Sequence, residues 1–388
     1  LGGFAVSLLS AFSSLTDPRV ARTRRYPLGD ILLLTLCGLL CGADNYVSIC
    51  RWAKARQDWL REQFGIAAIP AHDTLGRVLA KVETTELAQV LATWNHALWN
   101  ADKNADKNAD KRETVSEEVI AFDAKRIKGA AEQLNLLSAW ASEAQLTLAV
   151  TDAGTGAEEQ EAMRLALALV DIAGCLVTAD ALHTQVTTAA TIVEKKADYL
   201  LSVKANQGRL FEQAQISFDL VRSGEEKATS FCVHRQKERG PVEVRKCWTL
   251  TDVGLFDPEG RWAGLATVVC VWQGCYKGEI LLSEQTRYFI SSATGDAKRF
   301  LRASRSHWGI ENSQHWRLDV FFREDASRVR AKRAATNLST LRRLALGLLK
   351  REKSEKVGVQ TKRQMAGWST EYLERVLVTG TGGQGEGN

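Results

Sequence analysis

Apolar side chains recur every three to four residues across 27–41, 46–64, 74–82 and 85–99, and this spacing predicts four helices in the first hundred residues. Asp73-Thr74, shortly after Pro70, supplies a cap for the third of them. The run 31–41 is apolar almost throughout, yet too short to span a bilayer and set in a polar region, so it predicts a buried helix. Then Ala101-Asp102-Lys103-Asn104 repeats over 105–108 and begins again at Ala109. Without apolar anchors, that stretch reads as a linker or a tolerated insertion.

Beyond the linker the period changes. Short strand-like runs at 119–123, 134–140 and 146–151 precede a helical segment at 158–170, a strand at 175–180, a helix at 185–196 and a strand at 198–204. Strands alternating with helices predict an α/β core with a partly parallel sheet. Asp123 and Asp180 both fall at the carboxyl end of a strand, the edge where ligands bind in open α/β sheets. From 228 to 293 the pattern is β again, with runs at 231–233, 242–244, 265–272 and 288–290. Helical spacing returns at 296 and continues beyond 329, where Leu338, Leu341, Leu344 or Ala345, and Leu348 make a core-facing stripe with Arg342, Arg343 and Lys350 opposite. The end, 379–388, has no apolar side chain to bury and is expected to be disordered. The resulting division is 1–100 helical, 101–116 linker, 117–227 first part of a core, 228–293 β-rich insertion, 294–355 closing helices of the core, and 356–388 tail.

Composition narrows the class. Hydrophobic residues at 45% and charged residues at 25% are ordinary for a globular protein of 388 residues. The amino terminus lacks a basic leader and a small-residue cleavage site, which sets a cytoplasmic expectation with no membrane partner. The eight cysteines contain no Cys-x-x-Cys pair and most sit in apolar runs, so they read as reduced core thiols rather than zinc ligands. The charge is uneven: 295–353 carries 15 Lys or Arg against 6 Asp or Glu, whereas the remainder holds 36 against 40. Clustered positive charge suits a polyphosphate partner, and a solvated helix face is the alternative.

Within that basic stretch lies Arg305-Ser306-His307-Trp308-Gly309-Ile310-Glu311-Asn312-Ser313-Gln314-His315-Trp316. On an α-helix, His307, Trp308, Glu311, Asn312 and His315 share one face. The stripe fits either a metal-binding carboxylate acting on nucleic acid or an amphipathic helix with buried tryptophans and Glu311 paired to a nearby arginine. Three carboxylates from two neighbouring strand ends and one helix can hold two divalent ions for in-line phosphoryl displacement.

The motifs around these acids go further. Asp17-Pro18-Arg19, Tyr26-Pro27-Leu28, Cys41-Gly42-Ala43-Asp44 and Ile69-Pro70-Ala71-His72-Asp73-Thr74 lie in the helical part. Ile120-Ala121-Phe122-Asp123-Ala124-Lys125, Leu137-Ser138-Ala139-Trp140, Val177-Thr178-Ala179-Asp180-Ala181, Lys204-Ala205-Asn206-Gln207, His307-Trp308-Gly309-Ile310-Glu311-Asn312 and Leu318-Asp319-Val320 lie in the core. From about Asp17 to Arg351 the chain resembles the DDE transposases of bacterial insertion sequences, in the branch that includes the H-repeat-associated proteins. The resemblance implies an α/β, ribonuclease-H-like catalytic core with a β-rich insertion, preceded by an all-helical amino-terminal domain that recognises DNA. It implies Asp123, Asp180 and Glu311 as a triad holding Mg2+, with Mn2+ as substitute. Asp123 would bridge both ions while Asp180 and Glu311 each complete one sphere. Water then cuts the strand at an element end, and the freed 3′ hydroxyl attacks target DNA. The implied partner is double-stranded DNA, both transposon ends and target, bound by a homodimer in the bacterial nucleoid.

Other positions are candidates for DNA contact. Lys204 and Asn206 follow a strand at the same edge and are placed to hold phosphate, with helix capping the alternative for Asn206. Trp308 either stacks on an unpaired base or is buried. Arg302 and Arg305 are positioned as phosphate contacts, with His307 and Asn312 beside them on the same helix. His183 reads as a solvated turn residue. The chain departs from the family pattern at Ala124 and Arg126, where glycine and threonine are usual, at Asn135, and at His307 and Leu318, where related enzymes place Arg and Lys. Beside the active enzyme, a decayed or domesticated DNA-binding relative and a nuclease that cuts without joining remain as alternatives.

Overall fold

The computed structural model describes residues 2–108, 117–130, 134–154, 157–237 and 240–378. They fall into two compact units interleaved along the chain, one of 1–115, 124–170 and 310–388, the other of 116–123 and 171–309. The strands are β1 (Val119–Ile127), β2 (Leu134–Ala141), β3 (Leu146–Asp152), β4 (Leu176–Ala179), β5 (Asp198–Val203), β6 (Ser230–Lys237), β7 (Val242–Leu250), β8 (Thr267–Lys277) and β9 (Ile280–Ser291). The whole is a mixed α/β protein with a helical amino-terminal region.

The first unit is built on the helix Lys332–Arg351, buried from Ala334 to Leu349. Leu338, Leu341, Ala345 and Leu348 face the core as their spacing predicts. Arg342 and Arg343, expected on an opposite polar face, are instead each 1% exposed. They are tolerated because acceptors meet them inside: Arg342 donates to the Asp44 carbonyl at 3.1 Å and Arg343 pairs with Glu324 at 2.8 Å. Packed against this helix is Leu28–Leu40, buried at every position except Asp30, in agreement with the apolar run. The segment expected as one helix over 46–64 is two, Tyr46–Ala55 and Gln57–Phe64, meeting at Arg56. The first begins in a capping box between Asn45 and Ser48. The next helix, His72–Leu79, follows Ala71 without a side-chain cap, so Asp73 lies inside its first turn, where its charge favours the helix dipole. Helix Thr84–Asn108 continues through the first two Ala-Asp-Lys-Asn repeats, whose regular polar residues accept helical geometry, and 109–116 lie outside the described residues. Strands β2 and β3 pair antiparallel in this unit.

In the second unit β1, β4 and β5 run parallel, and β5 then pairs antiparallel with β9. From β9 the order continues through β8 and β7 to β6, each step antiparallel. The β-rich stretch therefore extends the sheet that carries the parallel strands. Helix Ala297–Ile310 contributes Ala297, Phe300, Leu301 and Ala303 to a core with Val119, Leu176, Leu200, Val269 and Phe289. Among the described residues no helix is long and apolar enough to cross a membrane. The tail 379–388 lies outside the described residues.

Candidate active site

Parallel pairing of β1 with β4 ends at Phe122 opposite Ala179, and the next residue on each strand is an aspartate. Strand β4 stops there while β1 runs on to Ile127, so Asp123 and Asp180 stand at the carboxyl edge of the parallel strands. The turn after Asp180 is tied down. Thr184 Oγ1 donates to the Ser202 carbonyl at 2.7 Å, and Asn206 Nδ2 donates to the Ala181 carbonyl at 2.8 Å. Gln207 Nε2 adds bonds to the carbonyls of Ala181 and Thr184. Asn206 is thus neither helix cap nor free amide; it fixes the loop that carries Asp180. Lys204, at the end of β5, is exposed.

His307 is buried, with Nδ1 3.0 Å from Thr178 Oγ1 and Nε2 3.7 Å from Asp180 Oδ1. That ring holds the Asp180 carboxyl below the ordinary carboxylate range, helped by the charges of Lys204 and His183 and opposed by burial. Position 307 therefore presents a polar group to the second aspartate. His183 is 2% exposed, not solvated, and burial brings its pKa down to about 4. Trp308 is 42% exposed, contacts His307 edge-on, and carries the Arg287 guanidinium over its ring at 4.3 Å. The burial alternative for this tryptophan is excluded. Of the two arginines expected at phosphates, Arg305 reaches Gln236 at 3.0 Å and Arg302 reaches the Glu117 carbonyl at 3.1 Å. Both remain exposed at the surface.

Glu311 belongs to the other unit. It opens Glu311–His315, five residues wound as π-helix, a winding that recurs at functional positions. The expected single α-helical face is broken here, because a π turn carries more residues than an α turn. Trp308, Glu311 and Asn312 are exposed while His307 and His315 are buried. Gln314 anchors the turn: its Nε2 donates to Ser138 Oγ at 2.9 Å and its Oε1 accepts from Thr147 Oγ1 at 2.9 Å. His315 Nδ1 lies 3.4 Å from Glu311 Oε2, and the Glu311 side chain is 54% exposed. Sequence reasoning passed over Gln314, because its neighbours Asn312, Ser313, His315 and Arg317 are polar and its partners Ser138 and Thr147 are distant in the chain. Leu318 is fully buried. Lys125 sits instead among Asp319, Asp325 and Glu324 at 2.6, 3.2 and 3.4 Å.

Models of two families match the chain: DDE_Tnp_1-associated over residues 9–95 and the transposase DDE domain over residues 116–348. The chain belongs to the DDE transposase family. "Putative transposase YncI" of Escherichia coli O157:H7 is 33% identical over 96% of this chain and 95% of its own length. "H repeat-associated putative transposase YhhI" of Escherichia coli K12 is 30% identical over 96% of this chain and 97% of its own. The recognition made from the motifs agrees with both. Among solved structures, a piggyBac transposase synaptic complex with hairpin DNA matches 96% of this chain and 80% of its own at a TM-score of 0.41 and 10% identity, which carries no inference. Asp180 and Glu311 both fall within the residues that the transposase DDE domain model matches.

Proposed function

We propose that this DDE transposase cuts phosphodiester bonds at the ends of an insertion sequence and joins the 3′ hydroxyl ends to target DNA, using Asp123, Asp180 and Glu311. The observation that carries the reading is the pair of aspartates at the ends of two neighbouring parallel strands, the second with the His307 ring 3.7 Å from its carboxylate. Parallel β1, β4 and β5 with acids at their carboxyl edge support a ribonuclease-H-like core. The donors suit magnesium, which prefers carboxylate oxygens and keeps positions for water and phosphate. When bound, such ions activate the attacking oxygen and stabilise the leaving oxygen.

The chain's own residues do the rest. Thr178 orients His307, which keeps Asp180 deprotonated; Asn206 and Gln207 hold the loop; Lys204 meets a backbone phosphate. Trp308 offers an exposed face to an unpaired base near the cut. The Gln314 anchor sets the direction of Glu311. Pairing two DNA ends calls for a dimer on DNA, with the helical amino-terminal region reading the ends. The test is excision and strand joining in cells from the gene with its native flanks. Junction products from the parent and none from Asp180→Asn are expected. Equal junctions from both would overturn the assignment, and absence of products with retained flank binding would mark a DNA-binding protein without catalysis.

A further inference from the structure

Arg287 was not visible as a functional residue in the sequence, and its surroundings are unusual for an arginine. It lies on β9 opposite Val271 of β8 and is half-buried. Its guanidinium is stacked at 4.3 Å on Trp308, which adjoins His307, which in turn faces Asp180. Among the described residues no carboxylate lies within ion-pair distance of it; its hydrogen bond runs from Nη2 to the neutral Gln285 Oε1 at 2.6 Å. Burial and the nearby Arg245 charge both disfavour its cation, whereas the Asp180 charge favours it. Arg245 is neutralised by Glu243 at 2.6 Å. The second unit therefore holds, beside Asp180, a partly desolvated cation with no anionic partner of its own.

Stacking uses the flat face of a guanidinium and leaves N–H groups on its edge for a planar, bidentate acceptor. A phosphodiester supplies such an acceptor and the missing negative charge. We infer that Arg287 and Trp308 form a phosphate-binding subsite beside Asp180, which grips the DNA backbone next to the scissile bond. The guanidinium carbon lies 4.3 Å from the centre of the Trp308 ring, so the cation is held at that ring before DNA arrives. This rests on the reading of the chain as a DNA-cutting enzyme and adds a contact absent from the motifs that carry the family resemblance.

The test measures binding of the full chain to a duplex carrying the gene's native flanks, across a range of salt, by fluorescence anisotropy, with Mg2+-dependent cleavage followed in parallel. Arg287→Gln is expected to weaken binding about tenfold to a hundredfold, the size of a lost hydrogen-bonded charge contact, and to reduce the salt slope by about 0.9. Arg287→Lys keeps the charge and the slope but loses the planar fork, and is expected to bind several-fold more weakly. Trp308→Leu is expected to keep the slope while losing affinity, and Trp308→Phe to restore most of it. A parent that binds and cuts, with Arg287→Gln matching it in affinity and slope, would overturn the subsite alone. A parent that neither binds nor cuts would overturn the underlying reading as well. Should Arg287→Gln fail to fold, Arg287→Lys decides, since a purely structural arginine replaced by lysine would leave DNA affinity unchanged.

Discussion

Charged side chains cluster in both units, and they do so in opposite ways. In the first unit Lys125, Asp319, Glu324, Asp325 and Arg343 form a closed ionic nest: Glu324 is fully buried, and Arg343 and Lys125 each reach it. In the second, Asp180 is 43% exposed, its nearest partner is a histidine, and Arg287 nearby has no carboxylate within ion-pair distance among the described residues. With Lys128 3.6 Å from Asp325, three cations meet the three carboxylates and the nest carries no net charge. At the strand edge the Asp180 carboxylate is partly exposed, and Arg287 meets only the neutral Gln285 and the Trp308 ring among the described residues. Identical residue types are thus paired and buried in one place and left partly exposed in the other.

The largest expected effect separates these roles. Asp180→Asn should reduce strand cleavage by about a thousandfold or more, since a metal-holding carboxylate contributes several kcal/mol to the transition state. Its urea midpoint should stay close to the parent's, because the group is half-exposed. A shift in the midpoint as large as the loss of cleavage would put Asp180 in the structural class.

Glu324→Gln should do the reverse. Removing this acid leaves Lys125 and Arg343 without their buried partner and should cost about 3–5 kcal/mol by urea unfolding. Burial raises the Glu324 pKa, but Arg343, Lys125 and Arg342 outweigh it and hold the carboxyl at about 2. A depressed folded pKa gives stability that is present above the unfolded value near 4.5 and lost as pH falls toward 2. The gap between parent and Glu324→Gln should therefore narrow over that acid window, and a gap independent of pH would contradict the nest.

Lys350 sharpens the point with a smaller effect. Burial and the Arg317 charge bring its pKa down to about 6, although it faces the Trp140 ring at 4.3 Å and Gln145 at 2.9 Å. A lowered lysine pKa penalises the fold below the unfolded value near 10.5, and the penalty levels off below about 6. Lys350→Met should accordingly stabilise by about 1–2 kcal/mol at pH 7, where folding strips the lysine of its proton, with the gain fading above pH 10. A stability change of similar size and opposite sign is expected in Gln314→Leu. It leaves the hydroxyls of Ser138 and Thr147 without this partner at a cost of about 1–2 kcal/mol, and it should lower cleavage by loosening the turn that carries Glu311.

Much of the strand edge was legible because its signals are local. Asp123 and Asp180 each close an apolar run, and parallel pairing of such runs puts their ends side by side. The helix Leu28–Leu40 was equally legible, since an apolar run with one acid leaves few alternatives to burial. What escaped depends on distant partners. Arg342 and Arg343 look like a solvent face until Asp44 and Glu324 meet them, so part of the basic surplus around Glu311 lies inside the fold. The π turn at Glu311 is fixed by Ser138 and Thr147, over 160 residues away in sequence. Arg287 gains meaning only when β9 brings it to Trp308.

The most direct test of the account is metal-dependent nicking of native flank DNA by the purified chain, with Asp123→Asn, Asp180→Asn and Glu311→Gln measured beside the parent. Cleavage by the parent in Mg2+, abolished in all three variants while their unfolding midpoints and DNA affinity hold, is the predicted result. Cleavage that survives loss of any one of the three carboxylates would contradict it.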